Sequence, residues 1–480
     1  MSGRPTAGAE EEAFARGLGL GDFTLLVIGA IVGDGIYVLA AMGAASLGPA
    51  QLVAWLVAGV LAGFIILAFI QCAAIHPQVG GSYSYARHAF GPFVGFLAGW
   101  SLLAGEWVAL SAFPQAFFNY FHALTGAPES ASLLVKLALV GLVTGVNLVG
   151  VRQSATTNDA LTVAKLLPLG VLVVLAGLFA LRHPSAASGH LHPFAPLGMG
   201  QLGSAVLPIF WAYAGFELAV LPAGEVRTPG RTLPRGLGIG LAIATGFYLL
   251  STLAVVIAAP WEMTATSTHP VANAMEGVLA ALGGPASAGF RFVSLGALVS
   301  IGGVFVVFML GLSRLTYALA QDGLLPSMFG RLHGRYRTPW ANLLVQAVWA
   351  LVFSTLFDLR SLLSTAVLFL SITYLLTALS AMRLVRRHPE QRLHLPAVQI
   401  WLSLAAAASV YLAAQGSPRQ MAVAGGVLGG GCVLYLVRRR RPGMAVAPTG
   451  GIAARAHHEP HGWLWRSWRR SRRPRADSRG

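Results

Sequence analysis

The chain has 480 residues, of which 55% are hydrophobic and only 10% charged, less than half the roughly 25% charged residues of soluble globular proteins. That composition excludes a water-soluble fold and points to a bilayer, where backbone polar groups are satisfied inside helices or a closed barrel. The net charge of +16 suggests a polyanion partner until it is located: twelve of the 31 arginines lie between Arg438 and Arg479, so the excess is mostly terminal.

In chain order, residues 1–19 form a cytoplasmic N-terminal segment carrying Glu10, Glu11 and Glu12, without the basic start and apolar core of a cleaved signal peptide. Uncharged apolar runs of about 20 residues follow, which favour helices over the two-residue alternation of barrel strands. Twelve spans are predicted, beginning near Leu20, Gln51, Phe93, Leu133, Asn158, Gln201, Leu233, Gly289, Trp340, Ser361, Pro396 and Met421. Cys72 and Cys432, each in an apolar run, read as packing thiols with neither disulfide nor metal spacing.

Basic loop residues resist translocation and so report orientation. With the N-terminus inside, inner loops hold thirteen of them: Arg87, Arg152, Arg227, Arg231, Arg235, Arg314, Arg331, Arg335, Arg337, Arg383, Arg386, Arg387 and Arg392. Outer positions hold five, Lys136, Arg182, Arg291, Arg360 and Arg419. Both termini are therefore expected on the cytoplasmic side of the cell membrane.

The first and sixth spans are expected to be broken. Gly29-Ala30-Ile31-Val32-Gly33-Asp34-Gly35 places three glycines and a carboxylate at mid-membrane, and Pro208, Ala212-Tyr213-Ala214-Gly215-Phe216-Glu217 and Pro222 do the same five spans later. Glycine weakens a helix by roughly 1 kcal/mol and proline by about 3 kcal/mol. Paired interruptions of this kind point to inverted repeats with a substrate site at the breaks.

Ionisable groups inside spans are functional candidates by default. There are four: Asp34, Glu106, Lys165 and Glu217. Asp159 and Asp358 lie near span ends and read as solvated or structural. Unwinding at Gly33 to Gly35 exposes amides at the start of the outer half-helix, a positive end suited to a carboxylate. It frees carbonyls around Ile31 and Val32, and a break near Tyr213 to Gly215 frees more, which suits an ammonium. Such a site is shaped for a zwitterion.

Four stretches then carry a resemblance. The first is Gly29 to Tyr37; the second is Pro77-Gln78-Val79-Gly80-Gly81-Ser82-Tyr83-Ser84-Tyr85 with Phe90-Gly91 and Gly99-Trp100. The third is Ala212 to Glu217 with Gly224-Glu225-Val226, Pro229 and Leu233-Pro234-Arg235. The fourth runs through Ser313-Arg314, Tyr317-Ala318-Leu319-Ala320, Asp322-Gly323-Leu324-Leu325-Pro326 and Thr338-Pro339. Over roughly Gly17 to Arg441 the chain resembles the amino acid, polyamine and organocation permeases.

That resemblance implies an all-α integral membrane protein of the leucine-transporter-type fold, with 12 transmembrane helices, 5+5 inverted repeats and broken helices 1 and 6. The repeats would occupy 20–181 and 201–383, helices 11 and 12 would occupy 396–437, and an Arg/Trp-rich cytoplasmic tail 438–480. It implies a substrate site formed by Ile31, Val32, Gly33, Asp34, Gly35, Glu106, Ala212, Tyr213, Ala214, Gly215, Phe216 and Glu217. Asn147 to Lys165, with Gly150-Val151-Arg152, Ser154-Ala155 and Asn158, is similar to the proton-coupled, cationic-transporter-like branch. Lys165 there stands where sodium-coupled relatives bind a cation, and a buried lysine has a proton it can exchange; the alternative is a permanent pairing with an acid. Glu106 resembles a third-helix glutamate of that branch, open to proton relay, to neutralising a cationic side chain or to pairing with Lys165. Glu217 either contacts substrate or braces the sixth-helix break.

Asp34 departs from the pattern, which has a small hydroxyl residue there. Two carboxylates at this site would repel by several kcal/mol at partly buried separations. Asp34 is then protonated, turned away, or met by a substrate amine. Tyr213, Phe210, Phe216 and Trp107 are open to helix packing or to pocket selectivity, and Ser300 lies at a depth to meet Lys165. Trp463, Trp465 and Trp468 interleaved with arginines suit anionic lipid, each basic residue contributing about 1 kcal/mol; simple disorder is the alternative, and no nucleic-acid partner is expected.

The expectation is a secondary transporter importing amino acids by proton symport and alternating access, with no cofactor or metal. The runner-up is an exchanger of amines, polyamines or cationic amino acids. A membrane-embedded enzyme is disfavoured because no paired ligands or nucleophile-base spacing occur. A nutrient sensor would need a larger output domain than the tail provides. Oligomeric state is not legible in the sequence.

Overall fold

The structure, a computed structural model, describes residues 19–33, 35–76, 80–149, 155–219, 226, 228–336, 338–393 and 395–439. Asp34, Gly150 to Ser154, Gly224-Glu225 and the tail from 440 onward lie outside them, as do the side chains of Asn158 and Asp159.

The first third of the chain forms α1 (Leu20–Ile31), α2 (Gly35–Leu47), α3 (Gln51–Ile75), α4 (Gly81–Phe90), α5 (Pro92–Leu110), α6 (Ala112–Thr125) and α7 (Ser132–Val149). The middle forms α8 (Ala155–Arg182), α9 (Pro184–Gly189), α10 (Leu202–Phe210), α11 (Phe216–Ala219), α12 (Pro229–Ala258), α13 (Trp261–Thr266) and α14 (Pro270–Ala281). The last third forms α15 (Ala286–Gln321), α16 (Trp340–Leu356), α17 (Leu359–Arg387), α18 (Val398–Ala414) and α19 (Pro418–Arg439). Eight segments among the described residues are long and apolar enough to cross a membrane, and four shorter apolar helices accompany them: Leu20–Ile31, Leu202–Tyr213, Trp340–Leu356 and Val398–Ala414.

Two of the four shorter ones, Leu20–Ile31 and Leu202–Tyr213, are the first pieces of the interrupted spans. The third predicted span is also divided, into α5 and α6 around Ser111. Pro114 supplies the reason, since it has no N–H to return to the carbonyl of Leu110. The short helices α4, α9, α13 and α14 have no counterpart in the predicted spans; they are too short for an apolar run to reveal.

Large apolar side chains such as Leu134, Leu142, Val174 and Leu181 stand exposed on α7 and α8, between 67% and 82% accessible. Water would penalise that surface, whereas hydrocarbon solvates it. The polar seams run the other way. Lys136, counted in sequence among outer loop charges, is instead buried in α7, where it donates to the Gln115 side chain on α6 and to the Ser354 carbonyl on α16 at 2.9 Å. It is a clamp between three helices.

Inside, α1 packs on α12 and α8, α3 on α12, α10 and α18, and α5 on α17 and α4. The two interrupted spans meet at the centre of this arrangement.

Candidate functional site

The first break follows from its residues. α1 ends at Ile31; Val32 turns to an extended conformation with φ −80° and ψ 98°, and the helix restarts at Gly35. The second break begins where Pro208 removes a backbone donor inside α10. The chain tightens to a 3-10 turn over Trp211–Tyr213, extends at Ala214, and reverses at Gly215, whose φ of +109° favours glycine.

The breaks lie against each other. A Cβ on Gly35 would stand 2.9 Å from the Cα of Ala212, and one on Gly215 would run into the carbonyl oxygen of Ala30. Each break thus carries a glycine where the other's backbone passes.

Most of the backbone groups freed by unwinding have partners. The Tyr248 hydroxyl of α12 lies 2.8 Å from the carbonyl oxygens of both Ile31 and Ala212, so its one proton serves either break. Ser300 on α15 donates to the Gly33 carbonyl at 3.4 Å. The Gly215 N–H donates to Glu217 Oε2 at 3.0 Å, and the Tyr374 hydroxyl donates to the same oxygen at 3.3 Å. Glu217 therefore braces the second break, one of the two roles its position left open.

Lys165 sits on α8, three residues before Pro168, which cannot close a helical bond to the carbonyl of residue 164. Its ammonium donates to the Gly29 carbonyl on α1 at 2.6 Å. Its own carbonyl accepts from the Tyr37 hydroxyl on α2 at 2.9 Å, and the Tyr120 hydroxyl of α6 donates to the Tyr37 carbonyl at 2.7 Å. Lys165 thus holds both halves of the first interrupted helix, one through its side chain and the other through its backbone.

Glu106 does not bond to Lys165. Among the described residues, both its carboxyl oxygens are buried and accept no amide or hydroxyl hydrogen bond, lying instead within reach of the Glu217 carboxyl, and the Ser82 hydroxyl has no partner. They line one cavity together with Glu217, bounded by Gly80 and Gly81 before and at the start of α4, by Leu102 on α5 and by Phe308, Gly311, Leu312 and Leu315 on α15. Two carboxyl groups facing one small space form a site that favours a proton or a cation.

The aromatic candidates are absorbed in packing. Tyr213 donates to the Trp55 carbonyl at 2.8 Å and its ring lies edge-on to Tyr248 at 5.2 Å. Phe210 and Phe216 both pack on Tyr374, and Trp107 packs on Trp349. What this stretch offers a ligand is backbone. Tyr37, Tyr120, Tyr248 and Tyr374 were not singled out in sequence; a tyrosine in an apolar run carries no signal of which carbonyl it will reach.

Comparison with known proteins places these observations in a family. Residues 18–425 match the family described as amino acid permease. The branched-chain amino acid permease BcaP of Bacillus subtilis is 28% identical over 352 residues, covering 69% of this chain and 72% of that protein. Cationic amino acid transporter 4 of Mus musculus is 28% identical over 400 residues, covering 79% of this chain and 61% of that protein. Among solved structures, that of a mutant manganese transporter of Eremococcus coleocola superposes with a TM-score of 0.54 at 13% identity, covering 91% of this chain and 96% of that one, a likeness of fold.

Proposed function

The chain belongs to the amino acid permease family, and on that premise we propose that it imports amino acids by proton symport and alternating access, with Lys165 as the proton-coupling group. It is a multi-pass membrane transporter; the proposal extends to twelve spans in two inverted five-helix repeats, both termini on the cytoplasmic side of the cell membrane, and helices 11 and 12 outside the repeats.

The observation that carries the coupling is the Lys165 Nζ bond to the Gly29 carbonyl. A charge-assisted hydrogen bond is roughly twice as strong as a neutral one. Loss of the proton therefore weakens the tie between α8 and the inner half of the broken helix, while the Tyr37 tie to the outer half stays. Proton occupancy acts on one side of the break, which is the asymmetry alternating access needs. Substrate would sit at the crossing, its carboxylate toward the amides near Gly33 and Gly35 and its ammonium toward free carbonyl lone pairs of Ile31 to Val32 and Ala212 to Ala214.

A second reading, an exchanger of amines or cationic amino acids, rests on Glu106, whose carboxyl faces the cavity beside that of Glu217. Asp34, whose side chain bears on the same question, lies outside the described residues.

Proteoliposome uptake with a panel of labelled amino acids and amines, with and without an inward proton gradient, tests both readings. Gradient-stimulated uptake of a neutral amino acid supports the first. Gradient-independent exchange of amines supports the second, and no uptake of any compound contradicts both.

A further inference from the structure

Helix α4 is a strap across one end of the bundle, and three histidines hold it there. His76, the residue capping α3, stacks on His88 of α4 with ring centroids 4.5 Å apart and planes at 15°. His88 in turn lies 6.0 Å from His388, the residue capping α17. His76 Nε2 also shares a hydrogen bond with the Ser84 hydroxyl at 3.1 Å. The imidazoles thus join α4 to the ends of two long helices.

The same helix closes the carboxyl cavity. Gly81 and Ser82 open α4 and, with Gly80 before them, line the space into which Glu106 and Glu217 face. Moving α4 moves that floor.

The surroundings decide what protonation does to the stack. On α4 itself, Arg87 is held by Asp322, beyond α15, at 3.7 Å and donates to Tyr83, whose hydroxyl donates to Asp322. From α17 come Arg383, whose guanidinium lies over Phe90, with Arg386 and Arg387. Glu390 pairs with His388 at 3.7 Å and can neutralise a proton there. Among the described residues no carboxylate is ion-paired with His76 or His88. A proton on either is therefore uncompensated and meets imidazole and guanidinium neighbours.

We propose that the His76–His88–His388 stack is a pH-sensitive latch: neutral, it pins α4 as the floor of the Glu106–Glu217 cavity, and on acidification it releases it. This goes beyond the transport reading and rests on it only for placing the latch on the cytoplasmic side. Burial, then His88 and His388, push the His76 imidazole down to about 4, and burial, then His388 and Arg387, lower that of His88. Because both are lowered, the latch is fully set above the ordinary histidine value of about 6.5 and weakens as pH falls below it. For one imidazole shifted as far as His76, linkage makes release about tenfold more favourable at about pH 5.5 than at about pH 7.5.

The test is amide hydrogen exchange of residues 80–90 in the full-length protein in lipid nanodiscs, at those two pH values, each corrected for intrinsic exchange. Protection of α4 is expected to fall about tenfold on acidification while α5 stays protected, and the fall should vanish in His76→Gln and shrink in His88→Gln. Unchanged protection in the wild type overturns the proposal. So does a fall that persists in both variants, or one shared equally by α5. The measurement needs no transport, so its failure is distinct from failure of proton-coupled uptake.

Discussion

Gly215 lies so close to the carbonyl of Ala30 that a Cβ on it would overlap that oxygen, and its φ of +109° already excludes most side chains. The two interrupted helices therefore touch through backbone, and their separation is set by the absence of one methyl. Backbone strain of this kind costs about 1–3 kcal/mol before the overlap is counted. Gly215→Ala is expected to lower uptake at least tenfold and to depress the melting temperature. Gly311→Ala, at a cavity-lining position where a Cβ meets nothing within 4 Å, is the matched control and should leave the melting temperature unchanged.

Tyr248→Phe removes the hydroxyl that serves both Ile31 and Ala212. A buried carbonyl left without its donor costs roughly 1–3 kcal/mol. The variant should melt lower and take up substrate about tenfold more slowly at normal expression, since 1.4 kcal/mol is a factor of ten. Wild-type values for both would remove Tyr248 from the crossing.

Glu106→Gln and Glu217→Gln separate two carboxyls that share a cavity. Glu217 accepts from the Gly215 amide and the Tyr374 hydroxyl, so its replacement should destabilise the second break and reduce uptake of every substrate. Glu106 accepts no amide or hydroxyl bond among the described residues and faces only the Glu217 carboxyl. If the cavity receives a cation, Glu106→Gln raises the KM of a cationic substrate about tenfold while that of a neutral amino acid changes less, because removing one partner leaves the other charge buried and uncompensated. Equal effects on both substrates would assign Glu106 to proton relay or structure.

Asp358 shows how a span-end carboxylate differs. Burial alone would raise its carboxyl, but hydrogen bonds from Ser361, whose N–H donates at 2.9 Å, and from the backbone at the start of α17 outweigh it and hold the group below the usual range. A lowered carboxyl stabilises above its ordinary value and ceases to as pH falls through the folded one. Asp358→Ala should cost about 1 kcal/mol near neutrality. That gap should close below about pH 4, and a gap that persists there would exclude the cap as its source.

The apolar runs were legible because a bilayer demands them, and the two interruptions and the four ionisable residues because each violates what it tolerates in a continuous helix. The order of motifs from Gly29 to Pro339 placed the chain in its family. What was not legible is partnership. Nothing near Lys165 in sequence indicates Gly29, 136 residues away, and nothing assigns Tyr248 to two carbonyls on different helices. The burial of Lys136 was missed for the same reason, since a lysine near a span end looks solvated until its partners on neighbouring helices are known. Helix α4 and the histidines around it escaped because a ten-residue helix leaves no periodic apolar signature.

The coupling role of Lys165 is tested most directly by comparing wild type and Lys165→Ala in proteoliposomes, measuring homoexchange and gradient-driven accumulation of the same amino acid. Wild type should accumulate substrate several-fold more when the outside is made acidic. Lys165→Ala should retain homoexchange within about an order of magnitude, since its bond to Gly29 is a tie and not the substrate site, yet show no stimulation by the gradient. Accumulation by Lys165→Ala that responds to the gradient as wild type does would contradict the proposal that the proton is carried there.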